Sequence, residues 1–128
     1  MSRGLGPKQK MILTLLWNEK DTERVKPYSA TYWYNKNNYE SKETRLEAKN
    51  IFQLFYNMKG SDEEIYKQIH NFSLIEKQKV YNPLKRLHKR GLIEYKRGEI
   101  RAYIDPIEET IKNFKTGQII PLKRLINY

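Results

Sequence analysis

At 128 residues, with a formal net charge of +10, 38% hydrophobic content and no cysteine, the chain has room for one modest core under a heavily solvated surface. The missing cysteines exclude disulfides, thiol catalysis and cysteine-ligated zinc or iron–sulfur clusters. No apolar run approaches the ~20 residues of a membrane-spanning helix, and the N-terminus carries no cleavage-site pattern, so the chain reads as a mature cytosolic protein with no membrane partner.

In chain order, Pro7 to Asn18 is predicted as a helix, with Pro7 at the first position and Met11, Ile12, Leu15 and Leu16 as its apolar stripe. Glu19 to Tyr39 is rich in aromatics. Tyr28 to Tyr34 has the composition of a short strand, and its interleaved tyrosines and lysines suit either core or dimer packing or stacking on unpaired bases. Ser41 to Met58 is predicted as a second long helix, with Leu46, Ile51, Phe52, Phe55 and Met58 inward and Gly60 ending it.

Ser61-Asp62-Glu63-Glu64 has the form of a capping box, which accounts for its carboxylates without chemistry. It opens a helix running to about His70, with Phe72 closing the turn. The next helix begins near Leu74 and ends before Gly91. Its spacing places Val80, Leu84 and Leu87 on one face and Gln78, Asn82, Lys85 and Lys89 on the other. Pro83 conflicts with a regular helix at a cost of ~3 kcal/mol. Either the helix bends there or it starts only at Asn82-Pro83.

Leu92 to Lys96 and Glu99 to Ile104 are predicted as strands joined at Arg97-Gly98, with Ile100, Ala102 and Ile104 on one side. Asp105-Pro106 reads as the start of a further helix, striped by Ile107, Ile111 and Phe114 and ended by Gly117. The tail from Gln118 to Tyr128 is apolar enough to require a surface on its own domain or on a second subunit.

The charge is concentrated. Between Leu74 and Ile104 nine bases face three acids, so six of the ten net charges lie in a quarter of the chain. Such a local excess favours a polyanionic partner over solubility alone.

The stretch from Asp62 to Tyr103 resembles the winged helix-turn-helix family of DNA-binding proteins. The matching residues are the helix at Asp62–His70, the turn through Asn71–Ser73, the run from Val80 to Ile93, and the hairpin Glu94–Tyr103 as the wing. The composition, rich in lysine, isoleucine and asparagine, is similar to that of small regulators from archaea and their viruses or plasmids.

The resemblance implies a mainly α chain with a small β-hairpin wing, an α+β winged helix-turn-helix with extra N- and C-terminal helices. Residues 61–104 would form the core of a single domain, and 105–128 a C-terminal helix and tail able to dimerise. It further implies a recognition helix in the major groove. Lys77, Gln78, Lys79, Tyr81, Asn82, Lys85 and Arg86 would face double-stranded DNA, with Lys96 and Arg97 at the wing tip. Gln78 and Asn82 are suited to adenine. Lys85, Lys89, Lys96, Arg97 and Arg101 are suited to phosphates.

The expected function is therefore a homodimeric, sequence-specific transcriptional regulator acting in the cytoplasm at the nucleoid. No cofactor and no catalysis are expected. His70 and His88 are far apart, the glycines are scattered, and Glu94-Tyr95-Lys96 lacks a partnering aspartate for nuclease chemistry. The competing readings are an RNA- or single-strand-binding module and a winged-helix protein–protein adaptor.

Overall fold

The computed structural model describes residues 4–19 and 42–127. The segment Tyr28–Tyr39, with its expected strand and its base-stacking aromatics, lies outside them.

A period of two puts Ile100, Ala102 and Ile104 at zero exposure along strand β3 (Glu99–Asp105), and the sheet is assembled on that strand. Strand β1 (Lys42–Glu47) lies antiparallel along one edge, from Lys42 opposite Ile104 to Glu47 opposite Glu99. Two short strands share the other edge. β2 (Glu94–Lys96) pairs with the first half of β3 and β4 (Thr110–Lys112) with the second half, while β5 (Ile119–Pro121) extends the sheet beyond β4. Arg97 and Gly98 both have positive φ (54° and 80°), which matches the tight hairpin turn whose twist suits its strands.

Four helices among the described residues cover this sheet: α1 (Pro7–Glu19), α2 (Ala48–Tyr56), α3 (Asp62–His70) and α4 (Leu74–Arg90). The core joins Ile12, Leu13 and Leu16 of α1, Ile51 and Phe52 of α2 and Ile65 of α3. Val80, Leu84 and Leu87 of α4 meet the inward row of β3 and Ile111 in the same cluster. The architecture of the described residues is α+β, four helices with a small antiparallel sheet. No helix among the described residues is long and apolar enough to cross a membrane.

Four expectations are corrected. The chain from Ser41 to Met58 is not one long helix. Its first part is β1, because Thr44 and Leu46 alternate into the core and six consecutive residues find partners on β3. The helix starts only at Ala48, where Glu47 and Asn50 cap it reciprocally. It ends on Asn57 in the left-handed region rather than on Gly60.

Asp105 does cap, but it caps a turn. Its Oδ1 accepts from the N–H of Ile107 (2.9 Å) and of Glu108 (3.2 Å), Glu109 then takes φ 55°, and the chain returns as β4 instead of continuing as a helix. Among the described residues, the single 3-10 turn Leu122–Arg124 follows β5 in place of a C-terminal helix. The stripe of α1 is also rotated from expectation. Leu13 is buried along with Ile12 and Leu16, and Met11 faces outward.

The apolar tail docks on its own domain. Leu122 is fully buried, Ile126 nearly so, and Ile120 and Leu125 pack against the same cluster.

Candidate nucleic-acid interface

Helix α4 is fixed at both ends by side chains. At its start Ser73 Oγ accepts from the N–H of Glu76 (3.1 Å), and Glu76 Oε1 accepts from the N–H of Ser73 (2.8 Å), a complete capping box. The hydroxyl of Tyr56 on α2 donates to the backbone oxygen of Glu76 (2.9 Å), tying the first turn to the core. α3 opens with the same device, Ser61 with Glu64.

At the other end Gly91 takes φ 85°, and the turn between β4 and β5 closes over it. Asn113 Nδ2 donates to the carbonyl of Arg90 (2.8 Å), and Lys115 Nζ donates to that of Lys89 (3.1 Å). The N–H of Phe114 donates to the oxygen of Gly91 (3.0 Å). These bonds satisfy carbonyls that a helix end leaves without partners.

Between its caps α4 is continuous through Pro83, so it neither breaks nor begins there. Pro83 is buried beside Val80, Leu84 and Leu87. Pro83 has no N–H to offer the carbonyl of Lys79, so the helix gives up that one bond.

The opposite side of α4 carries Leu74, Ile75, Gln78, Lys79, Asn82, Lys85, Arg86 and Lys89, all exposed. At 100° per residue they span roughly 140° of the helix circumference. That arc holds four cations, two amides and two aliphatic side chains, and no carboxylate.

Two expected contact residues lie off the arc. Lys77 is half-buried on its flank. Tyr81 is half-buried with its ring edge-on to Phe52 (centroids 5.5 Å, 82°), so it serves packing.

The hairpin β2–β3 stands beside α4. His88 Nδ1 accepts from the N–H of Tyr95 (3.1 Å), and the imidazole lies against Phe114 (5.4 Å). These contacts give His88 a structural part, holding the start of β2 against the end of α4. At the tip, Lys96 and Arg97 are exposed. Arg101 is half-buried and engaged by Glu99, its Nη2 2.9 Å from Glu99 Oε1, while Arg45 approaches the other carboxylate oxygen at 3.9 Å. Arg101 is therefore part of an ion cluster on the sheet rather than a free cation of the tip. Tyr103 donates its phenol proton to Glu94 at the same end of the sheet.

The tip is anchored where the N–H of Ala48 donates to Gly98 (2.8 Å). Arg97 and Gly98 there border an open groove shared with Phe52 of α2, Tyr66 and Ile69 of α3 and Tyr81 of α4.

The resolved protonation shifts belong to the scaffold. Hydrogen bonds from the Ser61 backbone and hydroxyl hold Glu64 below the usual carboxylate range. Burial, and behind it the electrostatic influence of the neighbouring Tyr81, pushes the Tyr95 phenol up. Donation to Glu47 (2.7 Å) raises Tyr66, with burial second. Tyr56 is raised by burial and then by Glu76.

Sequence reasoning missed three parts of this site. The capping box at Ser73 was readable from its Ser-x-x-Glu spacing. Asn113 had no local signal, since its role depends on a turn 23 residues after Arg90. Leu74 and Ile75 fell outside the apolar period of α4 and so carried no assignment. Compared with protein-family models, curated proteins and solved structures, the chain has no significant match.

Proposed function

We propose that the protein is a sequence-specific double-stranded DNA-binding protein of the winged helix-turn-helix type, a transcriptional regulator acting at the nucleoid, with α4 in the major groove and the tip of β2–β3 on the phosphate backbone. One observation carries this reading. The whole solvent-facing arc of α4 is cationic, amide or aliphatic without a single acid, and a helix of this width and polarity suits a groove about as wide as a helix with its side chains.

Roles follow from side-chain chemistry. Gln78 and Asn82 offer paired donor and acceptor to an adenine edge. Lys79, Lys85, Arg86 and Lys89 reach phosphate or guanine, and Lys96 and Arg97 meet phosphates that fix position without reading sequence. Lys77, Tyr81 and Arg101 drop from the contact set, being half-buried and, for Tyr81 and Arg101, engaged within the fold.

A homodimer remains part of the proposal, because two half-sites one helical turn apart multiply discrimination. It no longer draws support from the tail, whose apolar residues fill the protein's own core.

The test is anisotropy titration of the purified chain with duplex and single-stranded oligonucleotides of equal length at two salt concentrations. Duplex preference is expected, with a log–log salt slope of about −4.5 to −5.5 if five or six phosphates are neutralised. Equal or better binding of single strands, or no binding to either form, would overturn the reading.

A further inference from the structure

Leu74 and Ile75 are 71% and 67% exposed. They are the first two residues of α4, immediately after the Ser73 cap. Nothing among the described residues accounts for them. The capping box is made by Ser73 and Glu76, and the buried stripe of the helix begins at Val80. The first turn of a helix ordinarily favours acids and small polar residues, so two bare aliphatic side chains there are costly to solvate.

Their position on the helix is not arbitrary. Ile75 lies between Lys79 and Asn82 on the circumference, and Leu74 is next to Lys85 and Gln78. Both therefore fall on the acid-free arc. They sit at the N-terminal end of α4, the end that a recognition helix turns toward base edges.

The major-groove edge of DNA offers one purely apolar group, the C5 methyl of thymine. We infer that Leu74 and Ile75 are specificity-determining residues that select thymine methyls in the major groove, so that this chain prefers A·T steps where its helix start enters the DNA. This rests on the DNA-binding reading above and assigns base preference within it. The amides Gln78 and Asn82 read adenine from the same arc, so aliphatic and amide groups select the two halves of one base pair.

A protein partner seated on the same pair would also have to cover Gln78 and Lys79, one turn further along the helix. Desolvating that amide and that cation is unfavourable without matching polar or acidic groups.

The experiment uses four duplexes of one length: alternating dA-dT, the same duplex with deoxyuridine for thymidine, alternating dG-dC, and the same with 5-methylcytosine. Deoxyuridine deletes only the C5 methyl, and 5-methylcytosine supplies a methyl at the matching place. The full chain should bind the thymidine duplex more tightly than the deoxyuridine duplex, roughly fourfold for each methyl buried. Methylation of the dG-dC duplex should tighten binding in the same sense. In the double variant Leu74→Ser with Ile75→Ser both ratios should fall to one, while the salt slope stays unchanged. Because both side chains are exposed, the variant should melt like the parent, and that melt checks its fold.

Three outcomes overturn the inference. Equal affinity for thymidine and deoxyuridine duplexes, with steep salt dependence intact, removes methyl selection and leaves the DNA-binding reading standing. A methyl preference that survives in the double variant assigns it to other residues. Failure to bind any of the four duplexes overturns the inference together with the reading beneath it.

Discussion

Gly91 and Asn113 form the contact on which the pose of α4 turns. A methyl placed on Gly91 would lie 2.1 Å from Asn113 Oδ1, and its φ of 85° is one that side chains other than glycine's rarely adopt. Asn113 is buried and uses both ends of its amide. Nδ2 donates to the Arg90 carbonyl, while Oδ1 accepts from the N–H of Lys115 (2.9 Å) and of Thr116 (3.1 Å). Gly91→Ala therefore meets two penalties. The left-handed backbone costs about 1–2 kcal/mol, and the displaced amide leaves buried groups unpaired for roughly 1–3 kcal/mol more. The two should separate in a double-mutant cycle followed by urea unfolding. In an Asn113→Ala background the second penalty is already spent, so Gly91→Ala should cost only its backbone share, with a coupling of about 1 kcal/mol or more. If the two changes add to within about 0.3 kcal/mol, the amide does not act as the clip described.

At the scale of elements, the exposed arc of α4 and the tip of the hairpin do different work. Asn82 sits mid-helix on the exposed arc, whereas Arg97 is at a turn between Lys96 and Gly98, with no amide side chain beside it in sequence. Asn82→Ala should relax preference at one base pair by roughly 1–3 kcal/mol, and Arg97→Ala should weaken all sequences alike and lower the salt slope by about one. Competition titration against a panel of single-base variants checks both, and indistinguishable profiles would remove the division of roles.

These same elements were legible in the sequence because their signals are local. Ser61 with Glu64 starts one helix, Gly91 stops another, and Arg97-Gly98 turns a hairpin, each within four residues. β1 was hidden because Lys-Glu-Thr-Arg-Leu-Glu mixes helix-favouring charged residues with little β-branching. Its strand conformation is imposed by pairing with β3, more than fifty residues away. The stretch after Asp105 was misread for the opposite reason. Its capping signal is real, but an Asx turn and a helix start use the same carboxylate in the same way.

For the molecule as a whole, the C-terminal segment is where the fold chooses between the two surfaces that the sequence offered its apolar tail. Sequence alone left its surface open, on its own domain or on a second subunit. In the structure Leu122 has no exposure, Ile126 almost none, and the N–H of Leu122 donates to the oxygen of Glu109 (2.9 Å), locking the 3-10 turn onto the loop before β4. Burying a leucine and an isoleucine contributes roughly 1.5–3 kcal/mol each, against a total stability on the order of 5–15 kcal/mol for a domain.

Removing everything after Gly117 should thus take away β5, both aliphatic anchors and the cover over Ile111. The expected result is loss of a cooperative melt, not merely a change of assembly. The finer variant is Leu122→Ala, which leaves the backbone pairing in place and deletes buried volume alone. It should lower stability by about 2–5 kcal/mol while the sedimentation coefficient of the folded chain stays that of the parent. A variant that unfolds at the parent's denaturant midpoint yet sediments as a smaller species would reverse the assignment. Leu122 would then belong to contacts between subunits, and the tail would again support the dimer.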